Sequence, residues 1–133
     1  MSELTHEAPG PLRVLVVDSD ERIRESLSRL LPIGGRCVVV GAADRPDRAL
    51  ELAESTEPDV VLVDCRVAGL SAGRAFADRL RNAAPDARIV VLTLPDTNDG
   101  RTALPGADAY IRKTFRPQEL IDAVVNAARE TVA

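Results

Sequence analysis

The chain has 133 residues, is 45% apolar and 29% charged, and carries a formal net charge of −4. That length accommodates one core and is short for two, and the composition is that of a globular domain. The acidic balance, with no extended basic cluster, argues against direct nucleic-acid binding by this chain. No apolar run reaches membrane-spanning length and the N-terminus lacks the plan of a signal peptide, so a cytoplasmic location away from the membrane is expected.

Residues 1–11 mix Ser, Glu, Thr, His, Pro and Gly without periodicity and are read as a flexible tail, and residues 12–133 as the folded domain. His6, the only histidine, falls in the tail and is given no role. Apolar runs rich in Val and Ile then recur at 12–17, 37–41, 60–63, 89–92 and 109–111. Short, nearly continuous hydrophobicity of this kind predicts strands buried on both faces. Aromatics are only 2% of the chain, so Val, Leu, Ile and Ala must fill the core. Cys37 and Cys65 lie in or beside these runs at a spacing that suits no metal motif, and are read as reduced core residues.

Amphipathic stretches separate the runs. Ile23, Leu27, Leu30 and Leu31 make a helical stripe, which Pro32 and Gly34 end. Pro46 suits a first helical turn, with Ala49, Leu50 and Ala53 on its apolar side. A third stripe holds Phe76, Leu80 and Ala83 or Ala84 and stops at Pro85. Pro117 opens the last helix, whose apolar side is Leu120, Ile121, Val124, Val125 and Ala128. The stretch 94–106 contains Pro95, Gly100 and Pro105, so the fourth helix is expected to be weak or shortened. Strands alternating with helices predict a doubly wound, five-stranded parallel sheet of flavodoxin-like (βα)5 type.

In such a sheet the ligand site lies beyond the carboxyl ends of the strands, where strand order reverses. Strand 1 runs into Asp18-Ser19-Asp20-Glu21, strand 3 into Asp64-Cys65-Arg66, strand 4 into Thr93 and strand 5 into Arg112-Lys113-Thr114. Gathered carboxylates repel one another unless protonated or bridged by a cation. Oxygen ligands with open positions suit Mg²⁺, which keeps several waters and takes phosphate oxygens readily. The expected assembly is therefore a carboxylate–Mg²⁺ pocket, with Lys113 and Thr93 placed for a phosphoryl group. Of the 17 basic residues only Lys113 is lysine, and a compact ammonium enters a small carboxylate pocket more easily than a planar guanidinium.

At these residues the chain resembles the receiver domain of two-component response regulators, most like those that carry a helix-turn-helix output domain. The segments carrying the likeness are VLVVDSDERIRESLSRLL, PDVVLVDCRVAG, ARIVVLT and GADAYIRK, in that order, and it extends from about Leu12 to the C-terminus. The resemblance implies that Asp64 is the phosphoacceptor for a histidine kinase. Asp18, Asp64 and the backbone carbonyl of Arg66 would hold Mg²⁺, and Lys113 would bind the phosphoryl group. Thr93 and Tyr110 would be the switch residues, although Tyr110 also reads as plain core packing. Signalling would pass through contacts with an output protein or domain, with a homodimer as one form it admits, and no turnover of an external substrate is expected.

The sequence departs from the family pattern in four places. Ser19 stands where a second adjacent acid is usual, which removes one formal charge from the metal pocket. Asp20 is an alternative ligand there, but a carboxylate at that point also reads as the cap of the first helix. Val67-Ala68 replaces a Met-Pro pair, Thr114 replaces the proline that often follows the lysine, and the segment after Thr93 looks about two residues short. Asp59 and Asp108, each just before a strand, are read as turn residues. The departures define a second reading, an atypical receiver that acts as a phosphorylation-independent interaction module. A nucleotide- or flavin-binding enzyme is a remote third, because no phosphate loop follows strand 1. The end at ETVA is read as that of a stand-alone receiver rather than a cut one.

Overall fold

The computed structural model describes residues 10–67, 73–93 and 104–129. His6, Ala68 and most of the segment expected to hold the weak fourth helix lie outside these residues. The described strands are β1 (Leu12–Val17), β2 (Cys37–Ala43), β3 (Val60–Asp64), β4 (Arg88–Thr93) and β5 (Ala109–Arg112). The described helices are α1 (Glu21–Leu30), α2 (Pro46–Thr56), α3 (Gly73–Ala83) and α4 (Pro117–Arg129). All strand pairs are parallel and the order is β2-β1-β3-β4-β5, the doubly wound flavodoxin-like sheet expected from the alternation of elements.

The Val-rich strands are continuous in sequence because both faces are covered. Leu15, Val17, Val61, Val63, Ile89 and Val91 face one core layer, against Ala49 and Ala53 of α2 and Phe76, Ala77 and Leu80 of α3. Val14, Val16, Val60, Leu62, Val90 and Leu92 face the other, against Leu27 of α1 and Leu120, Ile121, Val124 and Val125 of α4. Adjacent strand residues point to opposite faces, so the two sets interleave along each strand. In α4 Leu120, Ile121, Val124 and Val125 are buried and Ala128 packs against them half-buried, while Ala127 is buried in addition.

Four strands run past their apolar runs, because the parallel ladder continues wherever a partner backbone is still in register. β2 reaches Ala43 through an irregularity at which Val14 pairs with Val39 but Leu15 pairs with Gly41. Gly41 suits that place: a Cβ there would lie 3.2 Å from Leu15 Cδ1. Helix ends follow the local chemistry. Pro46 starts α2 in its first turn, and Pro32, with Gly34 and Gly35 at φ of +85° and +80°, turns the chain away after α1.

Asp59 and Asp108 do more than turn the chain. Asp59 Oδ2 accepts the Arg13 N–H at 2.9 Å and Asp108 Oδ2 accepts the Ile89 N–H at 2.8 Å, so each satisfies a backbone donor at the start of a neighbouring strand. Asp108 also pairs with Arg81 of α3 at 3.2 Å. Both cysteines are buried and neither forms a disulfide, as expected of core residues. No described helix is long and apolar enough to cross a membrane.

Candidate functional site

β1 lies between β2 and β3, so the direction of winding reverses there and leaves a crevice at the carboxyl ends of β1 and β3. Asp18 follows β1, tied by its N–H to the Ala43 carbonyl at 3.0 Å, and Asp64 is the last residue of β3. They are the two buried polar or charged residues of the described chain, 0% and 1% exposed. Lys113 follows β5 and prolongs its ladder by donating its N–H to the Thr93 carbonyl at 2.8 Å. Its side chain is 7% exposed, and Nζ donates to Asp64 Oδ1 at 2.8 Å and to Asp18 Oδ2 at 3.4 Å. No cis peptide bond occurs among the described residues, so the Lys113–Thr114 bond is trans and Lys113 still reaches both carboxylates.

The segment after β1 is fixed by its own hydrogen bonds. Asp18 Oδ1 accepts the Asp20 N–H at 2.9 Å, and Arg24 Nη1 donates to the Asp18 carbonyl at 2.8 Å. Asp20 Oδ1 accepts from Arg22 N at 2.9 Å and Ile23 N at 3.4 Å, which makes Asp20 the N-cap of α1. Its carboxylate thus serves the helix, and Ser19 beside it is exposed.

The sequence reading gave Arg66 only a backbone role, yet its side chain enters the site. Asp64 Oδ2 accepts from Arg66 N at 3.1 Å and Arg66 Nε at 3.2 Å. In a chain this rich in arginine nothing in the sequence singles out the guanidinium two residues after an acid. Each oxygen of Asp64 therefore carries a cationic donor. Burial pushes the Asp64 carboxyl upward, but the hydrogen bond and charge of Lys113, with help from Arg66, hold it below the ordinary carboxylate range. Asp18 goes the other way: burial raises it, the Asp64 charge adds to that, and the Asp20 N–H and Lys113 offset only part. Asp64 in turn holds the proton on Arg66 more firmly.

The remaining predicted residues lie at the rim. Thr93 ends β4 and turns its hydroxyl to the Ile111 carbonyl at 3.2 Å. Tyr110 packs against the α2–α3 core layer, and its hydroxyl donates to the Leu104 carbonyl at 3.0 Å. The fold thus brings Asp18 and Asp64 each into contact with Lys113, with Thr93 at the next strand end and Tyr110 in β5.

Among the described residues no three His, Cys, Asp or Glu side chains gather into a metal cage. Mg²⁺ does not require one, since it is commonly held by one or two carboxylates with waters and phosphate oxygens. Two buried acids, one raised in part by the charge of the other, form a donor pair that a divalent cation relieves. The residues present fit Mg²⁺ at this level, Asp18 and Asp64 being the carboxylates that could hold it.

A family model described as the response regulator receiver domain matches residues 14–125. The nitrate/nitrite response regulator protein NarL of Escherichia coli K12 is 34% identical over 120 residues, 89% of this chain and 55% of that protein. The response regulator MprA of Mycolicibacterium vanbaalenii is 39% identical over 113 residues, 84% of this chain and 48% of its own length. The chain therefore spans about half the length of these relatives. Among solved structures, the signal receiver domain of a NarL response regulator from Mycobacterium tuberculosis superposes with a TM-score of 0.78 at 32% identity, covering 92% of this chain and all 100% of that one. A response regulator from Burkholderia pseudomallei, solved with a phosphorylated aspartic acid, a calcium ion and citrate, gives 0.69 at 28% identity over 89% of this chain and 66% of that one. On this match of sequence and fold, the chain belongs to the receiver domain family of two-component response regulators.

Proposed function

We propose that this chain is a phosphoacceptor that takes a phosphoryl group from a histidine kinase on Asp64 and signals through protein contacts. The observation that carries the reading is the Lys113 ammonium 2.8 Å from Asp64 Oδ1, inside a buried pocket at the crevice between β1 and β3. An Asp64 oxygen attacks phosphorus in line, the P–N bond of the phosphohistidine breaks as the P–O bond forms, and the imidazole leaves with the electron pair. Asp18, Asp64 and the Arg66 carbonyl would hold Mg²⁺, which would supply positive charge against the phosphoryl oxygens. Lys113, already desolvated on the carboxylate, offsets the negative charge that accumulates there. Thr93 would exchange the Ile111 carbonyl for a phosphoryl oxygen, and Tyr110 would respond in the adjacent strand. The Burkholderia relative, solved with a phosphorylated aspartic acid and a calcium ion, supports aspartate phosphorylation with a divalent cation as the chemistry of this fold.

No turnover of an external substrate is part of this reading, and the expected partners, met in the cytoplasm, are a histidine kinase and an output protein or domain. A second reading, a phosphorylation-independent interaction module, is favoured by one observation: Asp20 caps α1 and Ser19 is neutral, which leaves two carboxylates rather than three at the pocket. Intact mass after incubation with acetyl phosphate and Mg²⁺ separates the two. One added phosphoryl group on the wild type, absent from Asp64→Asn and absent without Mg²⁺, is the expected result. A folded wild type that gains no mass establishes the interaction module instead.

A further inference from the structure

We infer that the Arg66 guanidinium is an internal counter-cation that occupies Asp64 Oδ2 and competes with the divalent metal for it. The inference rests on the phosphoacceptor reading for the identity of the metal, and on the ion-pair geometry for the role of Arg66.

Three basic side chains meet the two buried acids. Lys113 holds Asp64 Oδ1, Arg24 holds the Asp18 carbonyl, and Arg66 Nε lies on Asp64 Oδ2 at 3.2 Å. Asp20, the nearest further acid in the chain, is committed to the α1 cap. Among the described residues, Lys113 and Arg66 alone neutralise the formal charge of Asp18 and Asp64, which leaves no excess negative charge there to draw a divalent cation. A metal binding Asp64 must take a lone pair from an oxygen that already accepts a backbone N–H and a guanidinium N–H. Lys113 is too buried to leave easily. Arg66 is 59% exposed and can swing to solvent at little cost. Its departure leaves Oδ2 with the Arg66 backbone N–H as its remaining donor and uncovers one unit of negative charge, while the Arg66 carbonyl stays in place. Metal entry is thereby coupled to a rotation of one side chain.

The test is an NMR titration of the amide resonances with MgCl₂ at fixed ionic strength, on the wild type, Arg66→Ala and Ser19→Asp. Arg66→Ala is expected to bind Mg²⁺ about fivefold more tightly than the wild type, the factor that corresponds to the ~1 kcal/mol of a partly exposed ion pair. Ser19→Asp restores an acid beside the pocket and reports whether the pocket takes metal at all. If Ser19→Asp tightens binding but Arg66→Ala binds as the wild type or more weakly, the role of Arg66 is overturned and the metal site stands. If none of the three shows a saturable shift, both are overturned. Arg66 is a surface side chain, so dispersed spectra of the variant are expected and are read from the same titration.

Discussion

Lys113 Nζ lies 2.8 Å from Asp64 Oδ1 and 3.4 Å from Asp18 Oδ2, so one buried ammonium serves two buried carboxylates unequally. Removing one partner of a buried ion pair leaves the other charge uncompensated. Lys113→Met is therefore expected to lose about 3 kcal/mol of stability at neutral pH. Urea unfolding measures it, and addition of MgCl₂ should recover part of the loss by replacing the missing charge. A variant as stable as the wild type without Mg²⁺ would mean that the carboxylates do not depend on the ammonium.

The two acids should also titrate with opposite consequences. Asp64 is held below its ordinary value of 3.8, so the stability of its ionised form is present above that pH and fades as the pH falls through the folded value. Asp18 is raised above 3.8, so its contribution is present below that pH and is lost as the pH rises through the folded value. Asp18→Asn should therefore gain stability at neutral pH, with the gain vanishing in acid. Asp64→Asn should lose stability at neutral pH, and that loss should vanish in acid too. Urea midpoints of the three proteins from acid to neutral pH give the comparison, and equal signs for the two variants would contradict the electrostatics of the pocket.

Asp20 offers a cleaner separation of roles. Its carboxylate accepts the N–H groups of Arg22 and Ile23, so Asp20→Ala should cost about 1 kcal/mol and Asp20→Asn much less. Neither change should alter Mg²⁺ affinity in an NMR titration. A clear loss of affinity in Asp20→Asn would assign the side chain to the metal instead of the helix.

Most of the fold was legible because the central strands β1, β3 and β4 are buried on both faces, which writes an unbroken apolar run into the sequence. The strand ends extended further than those runs, since Arg88, Thr93 and Arg112 pair through backbone groups that need no apolar side chain. The convergence of Asp18, Asp64 and Lys113 followed from the topology alone. Contacts set by long-range geometry were not readable. Asp108 reaches the Ile89 N–H and Arg81, and Arg66 folds back onto Asp64; in sequence these are ordinary charged residues near turns. At the last turn of α4 both Ala127 and Ala128 meet the core, and that Ala127 is the more deeply buried is decided by packing, since the two offer equal hydrophobicity.

Tyr110 is the only tyrosine, which makes it a reporter of whether the pocket communicates with β5. Its hydroxyl donates to the Leu104 carbonyl and accepts weakly from the Ala107 N–H at 3.4 Å, so it ties the segment before β5 to the strand. Tyr110→Phe should cost about 1 kcal/mol through the lost hydrogen bond. If Thr93 moves from the Ile111 carbonyl to a phosphoryl oxygen, the environment of the neighbouring strand changes and the ring resonances of Tyr110 should shift on treatment with acetyl phosphate and Mg²⁺. Thr93→Ala should then accept the phosphoryl group, seen by mass, yet leave those resonances largely in place. Equal shifts in Thr93→Ala and wild type would show that Tyr110 senses the modified pocket by a route that bypasses Thr93.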